Sequence, residues 1–121
     1  MTTLRRVPEM SVVIASYGRP TLLSRLLSQL ALQTLPPDVF EVVVIDDGSP
    51  KPVSTTVDAA RLPFAITIER QANAGAAAAR HRGAELARGE ILVFLDDDMQ
   101  IPPTLLAAHF AAHAEIPNAV V

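Results

Sequence analysis

The stretch Ile91-Leu-Val-Phe-Leu-Asp-Asp-Asp98 places five apolar residues directly before three consecutive aspartates. A continuous apolar run of this length is typical of a parallel strand that is buried on both faces. Three carboxylates at its end are costly, because two unit charges about 4 Å apart repel by roughly 1 kcal/mol in water and about 4 kcal/mol at an effective dielectric constant of about 20. An all-oxygen cluster suits a hard divalent cation such as Mg²⁺ or Mn²⁺. The alternative is a strand that ends in a solvated acidic loop.

Further segments have the patterns of strands. Residues 11–15 and 42–45 are short, mostly apolar runs that predict buried strands. Between residues 64 and 68, apolar residues alternate with less apolar ones, which predicts a half-buried strand nearer the edge of a sheet. Residues 119–121 have the pattern of the opening of another strand.

Helical patterns lie between these strands. A helix is predicted to start at Pro20, because leucines follow at helical spacing: Leu22, Leu23, Leu26, Leu27 and Leu30. Residues 76–88 favour a helix with Gly89 as its C-terminal cap. A further helix is predicted from about Thr104 to Ala114, with Pro117 as its stop. Residues 51–62 are ambiguous, and we expect a short, poorly formed helix there.

The alternation of strands and helices predicts an α/β fold, a Rossmann-like and mostly parallel sheet of about four strands flanked by helices. In such sheets, ligands bind beyond the carboxyl ends of the strands. Three polar clusters directly follow predicted strands, at residues 16–17, 46–47 and 96–98. We therefore expect these clusters to converge on one rim of the sheet.

The amino-acid composition limits the number of domains and excludes several classes of protein. The 121 residues make at most one domain, and the 50% that are hydrophobic can form a core. A net charge of −3 argues against general nucleic-acid binding, and the absence of cysteine excludes disulfides and thiolate metal sites. No segment approaches the roughly 20 apolar residues that span a bilayer, and the stretch after Arg5 and Arg6 lacks the cleavage pattern of a signal peptide. We expect a soluble, cytoplasmic chain with no membrane segment.

The acidic clusters have chemical interpretations and structural alternatives. On an extended segment Asp96 and Asp98 share a face, so one or both can hold a metal that also binds a diphosphate. The carboxylates of Asp46 and Asp47 can accept hydrogen bonds from a base N–H or from ribose hydroxyls. The alternative for this second cluster is an Asx-type turn, in which the acid bonds its own backbone.

Anion-binding groups occupy the segment before the third cluster. Asn73-Ala-Gly75 precedes a helix whose first N–H groups favour anions, and Arg80 and Arg82 within that helix can reach a phosphate. The alternative for both arginines is a solvated helix face. His109 and His113 have the i, i+4 spacing of a zinc pair, but no acidic third ligand is evident, so we expect no metal there.

Taken together, four stretches resemble the nucleotide-sugar-binding half of family 2 glycosyltransferases, which have the GT-A fold. They cover almost the whole chain in the family's order and at its usual spacings. The stretches are Ser11-Val-Val-Ile-Ala-Ser-Tyr-Gly-Arg-Pro20, Val43-Val-Ile-Asp-Asp-Gly-Ser49, Asn73-Ala-Gly-Ala-Ala-Ala-Ala-Arg80 and Ile91-Leu-Val-Phe-Leu-Asp-Asp-Asp98.

The resemblance implies a role for each matching position. Ala15, Ser16 and Tyr17 match the first loop, which lies against the nucleotide base, and Asp47 is the implied base contact with Asp46 beside it. The remaining implied nucleotide-binding positions are Asn73, Gly75, Arg80, Asp96 and Asp97.

The implied metal is Mn²⁺ or Mg²⁺, held by Asp98 and Asp96, and it offsets the charge that develops on the leaving diphosphate. The implied donor is a UDP or GDP sugar, which family members transfer with inversion of configuration. Gly18 and His81 stand where the family often has asparagine, which weakens any inference about the donor.

The resemblance also implies what this chain lacks. The acidic general base of the family is expected C-terminal to Val121, so residues 1–121 are interpreted as one donor-binding domain, truncated before the acceptor-binding half. No catalytic residue is expected in this chain, and the isolated domain is not expected to turn over. Truncation is expected to leave an apolar edge or face of the strand at residues 91–95 uncovered, which predicts self-association, with the Val120-Val121 end as its candidate contact. The parent enzyme can be free or attached to a membrane.

Three other functions compete with this interpretation. A non-catalytic nucleotide-binding or scaffold module would keep the fold without the chemistry, but the acids retained at all three clusters disfavour it. A dinucleotide-binding oxidoreductase needs a Gly-x-Gly-x-x-Gly turn, and the glycines here are isolated. A phosphatase-like site needs a nucleophilic aspartate with an activating partner, which nothing in the sequence identifies.

Overall fold

The computed structural model describes residues 7–115, which form a four-stranded parallel sheet flanked by three α-helices. The strands are β1 (Met10–Ser16), β2 (Phe40–Asp46), β3 (Ala65–Arg70) and β4 (Ile91–Asp96), arranged in the order β3-β2-β1-β4. The helices are α1 (Pro20–Ala31), α2 (Ala76–Leu86) and α3 (Leu105–Glu115). This architecture confirms the predicted α/β fold. Within the described range, no helix has the length and apolar character required to cross a membrane.

Side-chain alternation along the strands produces two cores on opposite faces of the sheet. On one face, α1 inserts a leucine stripe into the main cluster, which also contains alternate residues of β1, β2 and β4 and Leu106 of α3. The buried leucines of that stripe are Leu23, Leu26, Leu27 and Leu30. On the other face, Ala79 of α2 packs against Val43 and Ile45 in a smaller cluster. At about 25 cal/mol per Å² of buried apolar surface, the larger cluster dominates the hydrophobic stabilisation.

Strand order determines where a ligand site can form. The chain moves outward from β1 to β2 and β3, and then crosses back so that β4 pairs with the other edge of β1. The resulting crevice between β1 and β4, beyond their carboxyl ends, is the switch point where ligands bind in sheets of this type. Ala15 pairs with Asp96 and Ser16 pairs with Asp46, so the polar clusters after these strands start at the same level.

Two helix predictions differ from the structure. Helix α2 ends at Leu86, and Gly89 is not its cap, because the cap position is the extended residue Ala87. Gly89 is instead needed for close packing, since a Cβ there would lie 2.7 Å from the backbone carbon of Met10. Residues 51–62 form two separate 3-10 turns, Val53–Thr55 and Ala59–Arg61, in place of one short helix. Several β-branched residues in this segment disfavour a continuous α-helix.

The prediction that β4 is buried on both faces is wrong. Strand β4 is an edge strand, and Leu92 and Phe94 are only partly buried while Ile91, Val93 and Leu95 lie in the core. The predicted half-buried edge strand is confirmed as β3. Residues 117–121, which include the predicted helix stop and strand opening, lie outside the described residues. Self-association through that end of the chain therefore stays a prediction.

Helix α2 packs on the sheet through small buried residues. Ala79 and Gly83 are its buried positions, and a Cβ built on Gly83 would overlap Cγ1 of Val13 and lie 3.4 Å from Cγ1 of Ile45. Val13 is fully buried in the middle of β1, so it has no free space into which to move. Glycine at position 83 therefore sets the distance between α2 and the strands beneath it.

Replacing Gly83 with Ala is expected to destabilise the protein, although alanine is the better helix former by about 1 kcal/mol. The overlap with Val13 costs about 1–3 kcal/mol as overpacking. Urea unfolding of Gly83→Ala, Val13→Ala and the double variant measures this directly. The double variant should lose less free energy of unfolding than the two single variants lose together, because the truncated Val13 makes room for the new methyl group. A Gly83→Ala variant as stable as the parent would contradict the packing argument.

Candidate functional site

An open cavity of about 370 Å³ lies at the carboxyl ends of the strands, where the sequence predicts convergence of the polar clusters. The loops after β1, β2 and β4 and the start of α2 form its wall. Its lining residues are Ala15, Ser16, Tyr17, Arg19, Asp47, Ala76, Arg80, Asp96, Asp97 and Asp98. Of the predicted site residues, Asp46, Asn73 and Gly75 do not line the cavity, and Arg19 and Ala76 are additions.

Asp46 is buried and organises its own loop. Its Oδ1 accepts a hydrogen bond from the Ser49 N–H at 2.8 Å, and its Oδ2 accepts from the Val53 N–H at 2.9 Å and from Nη1 of Arg70 at 3.0 Å. Burial by itself raises the pKa of Asp46, but these donors outweigh burial and leave the pKa lowered. The carboxylate is thus held ionised behind the cavity wall, in the turn-forming role that was the structural alternative for this cluster.

Asp47 fastens the segment before α2 to the end of β2. Its Oδ1 accepts from Nε2 of Gln71 at 2.9 Å and from the Ala74 N–H at 2.8 Å. Its Oδ2 accepts from the Gly75 N–H at 3.0 Å and from Nδ2 of Asn73 at 3.3 Å. Burial raises the pKa of Asp47, yet the hydrogen bonds from residues 71–75 lower it further than burial raises it. Asp47 therefore both lines the cavity and determines where α2 begins.

Gly48 follows Asp47 because the backbone of Asn73 packs closely against it. Gly48 has a φ of +81°, and a Cβ there would lie 3.0 Å from the backbone nitrogen of Asn73. Asn73 also donates its side-chain N–H to the Asp47 carbonyl at 3.0 Å. Gly75, at a φ of +98°, occupies the N-cap of α2. Asn73 and Gly75 consequently support the wall instead of forming its surface.

The three consecutive aspartates are each paired with an arginine or a hydroxyl from another element. Nη2 of Arg80 lies 3.0 Å from Oδ1 of Asp96. Nη1 of Arg19 lies 3.4 Å from Oδ1 of Asp97 and 3.1 Å from Oδ2 of Asp98, and the Ser16 hydroxyl donates to Asp97 at 3.1 Å. Arginines therefore relieve the repulsion that the sequence implies, in addition to any cation that binds.

Exposure separates the middle aspartate from its neighbours. The side chain of Asp97 is 8% exposed, whereas those of Asp96 and Asp98 are 62% and 51% exposed. Asp97 thus has a positioning role between β1 and β4, while the other two present carboxylate oxygens to the cavity. Strand β4 ends at Asp96, so strict alternation does not continue past it, and Asp97 and Asp98 share Arg19 as a partner.

The exposed carboxylates of Asp96 and Asp98 provide the oxygen ligands that a hard divalent cation prefers, but two side chains are too few to fill its coordination shell. Oxygen ligands suit Mg²⁺ and Mn²⁺, which commonly take few protein ligands and complete their shells with phosphate and water. Across residues 7–115, no group of three histidine, cysteine or acidic side chains is arranged to hold a metal ion. A cation at Asp96 and Asp98 would accordingly complete its coordination shell with water, or with oxygens of a bound phosphate.

Arg19 was missed by sequence reasoning. It follows β1 at the N-cap of α1, directly before Pro20, and its side chain turns toward the acid cluster. The sequence did contain one indication of this contact. Arg19 is a basic residue in the loop after β1, and the loops after β2 and β4 at the same rim are acidic. Arg82, the other arginine weighed for phosphate binding, forms a bidentate pair with Glu69 at 2.6 and 3.1 Å and does not line the cavity.

Known proteins match this chain in sequence and in fold. Residues 11–121 match the family model described as Glycosyl transferase family 2. Validoxylamine A glucosyltransferase of Streptomyces hygroscopicus subsp. limoneus is 42% identical over 113 residues, which are 89% of this chain and 24% of that protein. Putative glycosyltransferase EpsH of Bacillus subtilis is 32% identical over 79% of this chain and 28% of its own length.

Solved structures have the same fold. S. aureus TarS 1-349 in complex with UDP-GlcNAc matches with a TM-score of 0.81 and 29% identity, over 88% of this chain and 31% of that one. Mannosyltransferase PcManGT from Pyrobaculum calidifontis, in complex with GDP-Man and Mn²⁺, matches with a TM-score of 0.76 and 28% identity, over 83% and 30% of the two chains. The chain thus spans about a quarter to a third of the length of these relatives.

Replacing Asp46 with Asn is expected to lower the free energy of unfolding by about 1–3 kcal/mol near pH 7, because a buried, charge-assisted hydrogen-bond network is weakened. The folded pKa of Asp46 is lowered, so its stabilisation is fully present above the unfolded pKa of about 3.9 and is lost as the pH falls through the folded value. The deficit of the variant should therefore shrink below about pH 4.

Urea unfolding at neutral and acidic pH checks this prediction. Asp58→Asn is the matched control, because Asp58 is exposed and its carboxylate pairs, among residues 7–115, with Arg61 alone at 3.2 Å. The control should change stability by less than about 0.5 kcal/mol at any pH. A deficit of Asp46→Asn that stays constant on acidification would show that the charge of Asp46 does not stabilise the loop.

Proposed function

Because this chain belongs to glycosyl transferase family 2, as its sequence motifs predicted, we propose that the cavity binds the nucleoside-diphosphate part of a sugar donor. The observation that carries the proposal is the meeting of the three predicted rim clusters around one cavity of about 370 Å³. The structures of TarS with UDP-GlcNAc and PcManGT with GDP-Man support it, because each binds a nucleotide sugar within the same fold.

Residues of the first loop and of the loop after β2 are assigned to the base end of the nucleotide. Tyr17 is 49% exposed at the cavity, which offers an aromatic face to a base, and Ala15 and Ser16 form the floor beside it. Asp47 carries the base contact in this assignment, although each of its oxygens already accepts two hydrogen bonds. These four donors fill the usual acceptor positions of a carboxylate. A base N–H would therefore bind Asp47 by replacing the longest of the four contacts, the one from Nδ2 of Asn73 at 3.3 Å.

Asp46, Asn73 and Gly75 contribute indirectly in this proposal. They hold the loop after β2 and the segment before α2 through the contacts of Asp46 and Asp47. Arg80, which lies four residues beyond Ala76 on the same helix, is thereby placed against Asp96 at the cavity. Asp96 and Asp97 are assigned to the ribose and diphosphate end, the exposed Asp96 by direct contact and the buried Asp97 through its bonds to Ser16 and Arg19.

Asp98, together with Asp96, is assigned as the ligand pair for Mn²⁺ or Mg²⁺. When bound there, the cation would act as a Lewis acid that offsets the negative charge of the leaving diphosphate. Asp98 and Asp96 would orient the diphosphate by sharing that cation with its oxygens. Ser16 and Arg19 fix the turn that carries both residues, so the carboxylates are positioned before ligand binding.

No residue of this chain is assigned as general base. The acids at the cavity are each committed to a hydrogen-bond network, to nucleotide contact or to the cation, and a base that activates an acceptor hydroxyl must be free to take its proton. We therefore expect this chain to bind the donor without transferring the sugar. In the proposal, the base belongs to an acceptor-binding region of a longer protein.

Calorimetric titration with UDP and with GDP, each with and without Mn²⁺, tests the proposal. Binding of at least one nucleotide should require Mn²⁺, and Asp98→Ala should abolish this metal-dependent binding while leaving the melting temperature nearly unchanged, because Asp98 is half exposed. Asp58→Ala, on a surface away from the cavity, should bind as the parent does.

The outcomes separate the leading function from its alternative. Binding of neither nucleotide would leave the chain as a non-catalytic scaffold module of the same fold. Unchanged metal-dependent affinity in Asp98→Ala would refute the metal assignment while leaving nucleotide binding in place.

A further inference from the structure

The cavity has an excess of negative charge that a diphosphate must overcome. Its lining includes the carboxylates of Asp47, Asp96, Asp97 and Asp98 and only two cationic side chains, those of Arg19 and Arg80. Asp47 is neutralised locally by four N–H donors, but the other three acids depend on the two arginines. A diphosphate that enters this cavity needs cationic groups beyond those that the acids retain.

Arg19 is only partly used by the acids. A single nitrogen, Nη1, serves both Asp97 and Asp98, and the contact to Asp97 is long at 3.4 Å. Within the described part of the chain, Nε and Nη2 of Arg19 make no hydrogen bond, and the side chain is 51% exposed at the cavity. A planar guanidinium with free N–H groups is suited to bidentate contact with phosphate oxygens.

The surroundings of Arg19 also favour an anion. Arg19 is the N-cap residue of α1, and the first turn of this helix has neither an acidic residue nor a side-chain cap. The partial positive charge of the helix end is therefore not neutralised locally. It adds to the charge of the Arg19 guanidinium.

Metal binding by Asp98 would favour a change at Arg19, because the guanidinium lies 3.1 Å from Oδ2, one of the two carboxylate oxygens of Asp98. A cation at Asp98 would repel Arg19 and compete for the same oxygen. A diphosphate that shares the cation would offer Arg19 new acceptors. The two binding events favour each other. The cation would displace Arg19 from the Asp98 carboxylate, and the diphosphate would provide new hydrogen-bond acceptors for Arg19.

We propose that Arg19 is a diphosphate-binding residue, which exchanges its carboxylate partners Asp97 and Asp98 for phosphate oxygens when the donor and its cation bind. This inference rests on the proposed function and adds a residue that neither the sequence motifs nor the comparisons assign. Arg19 moves its ion-pair contacts from the aspartates to the diphosphate. Binding of the cation therefore raises the affinity for the nucleotide, and binding of the nucleotide raises the affinity for the cation.

Arg25 provides a matched control. It also tethers the acidic turn, through a hydrogen bond from Nη2 to the backbone carbonyl of Asp98 at 3.2 Å, but it does not line the cavity. Arg19→Gln and Arg25→Gln each remove one positive charge and the arginine's contacts to the same turn, two for Arg19 and one for Arg25. Only the first removes a guanidinium that can reach the diphosphate.

Calorimetric titrations of the parent chain and both variants test the proposal, with four probes: Mn²⁺ alone, UDP or GDP in Mn²⁺, the matching nucleoside, and inorganic pyrophosphate in Mn²⁺. In Arg19→Gln, the affinity for the nucleotide and for pyrophosphate should fall about tenfold or more, as expected for loss of a charge-assisted contact. The affinity for Mn²⁺ alone should stay the same or rise, because Asp98 loses a competitor. Nucleoside binding should not change.

Opposite effects on nucleotide and cation distinguish this role from a structural one. If Arg19 only supported the turn, its loss would weaken Mn²⁺, nucleoside and nucleotide together, and that result would overturn the proposal. Equal losses of nucleotide affinity in Arg19→Gln and Arg25→Gln would overturn it as well. A parent chain that binds no nucleotide overturns the proposed function and this inference together, whereas a parent that binds and an Arg19→Gln variant of equal affinity overturn this inference alone.

Discussion

Like-charge repulsion at the carboxyl ends of parallel strands is the constraint on which this structure depends. Pairing of β1 with both β2 and β4 brings acidic loops to one rim, and the cost rises as the local dielectric constant falls. Hydrogen-bond and ion-pair partners that are distant in sequence offset this repulsion. Asp97 accepts from Ser16, which is 81 residues away, and Asp46 accepts from Arg70, which is 24 residues away. The rim is thus stable only when the complete sheet is assembled.

Adjacent acids have different tasks, and the strand geometry explains why. Asp46 is the last residue of β2 and points into its own loop, whereas Asp47 is the next residue and faces the segment before α2. The same division occurs after β4, where Asp97 is buried and Asp96 and Asp98 are exposed. In each cluster one carboxylate stabilises the loop so that a neighbour can be presented to the cavity.

Much of this arrangement could be predicted from sequence, because apolar runs and turn residues report the strand ends directly. The four strands, the leucine helix and the convergence of residues 16–17, 47 and 96–98 on one cavity all follow from that pattern. Long-range choices could not be predicted. The sequence places Arg19 in the loop after β1, but it does not show that Arg19 contacts the acids while Arg82 pairs with Glu69. Nor does it show that Glu41, which precedes an apolar run, is buried with its carboxylate paired to Ser11 and Arg88. Gly89 was misread for a similar reason, since its need for close backbone packing with β1 depends on the pairing of β1 with β4.

Core packing and site geometry are not separable in this fold. Helix α2 can lie close to the strands because Gly83 has no Cβ against Val13, and the helix begins where the N–H groups of Ala74 and Gly75 reach Asp47. These two constraints act on opposite ends of the helix and together determine the position of Arg80, one residue after the buried Ala79. A helix displaced outward by a single methyl group would move the Arg80 guanidinium away from Asp96, a contact of 3.0 Å that tolerates little displacement. The small residues of α2 therefore influence the cavity as well as the core, because the packing distance of the helix helps to position Arg80.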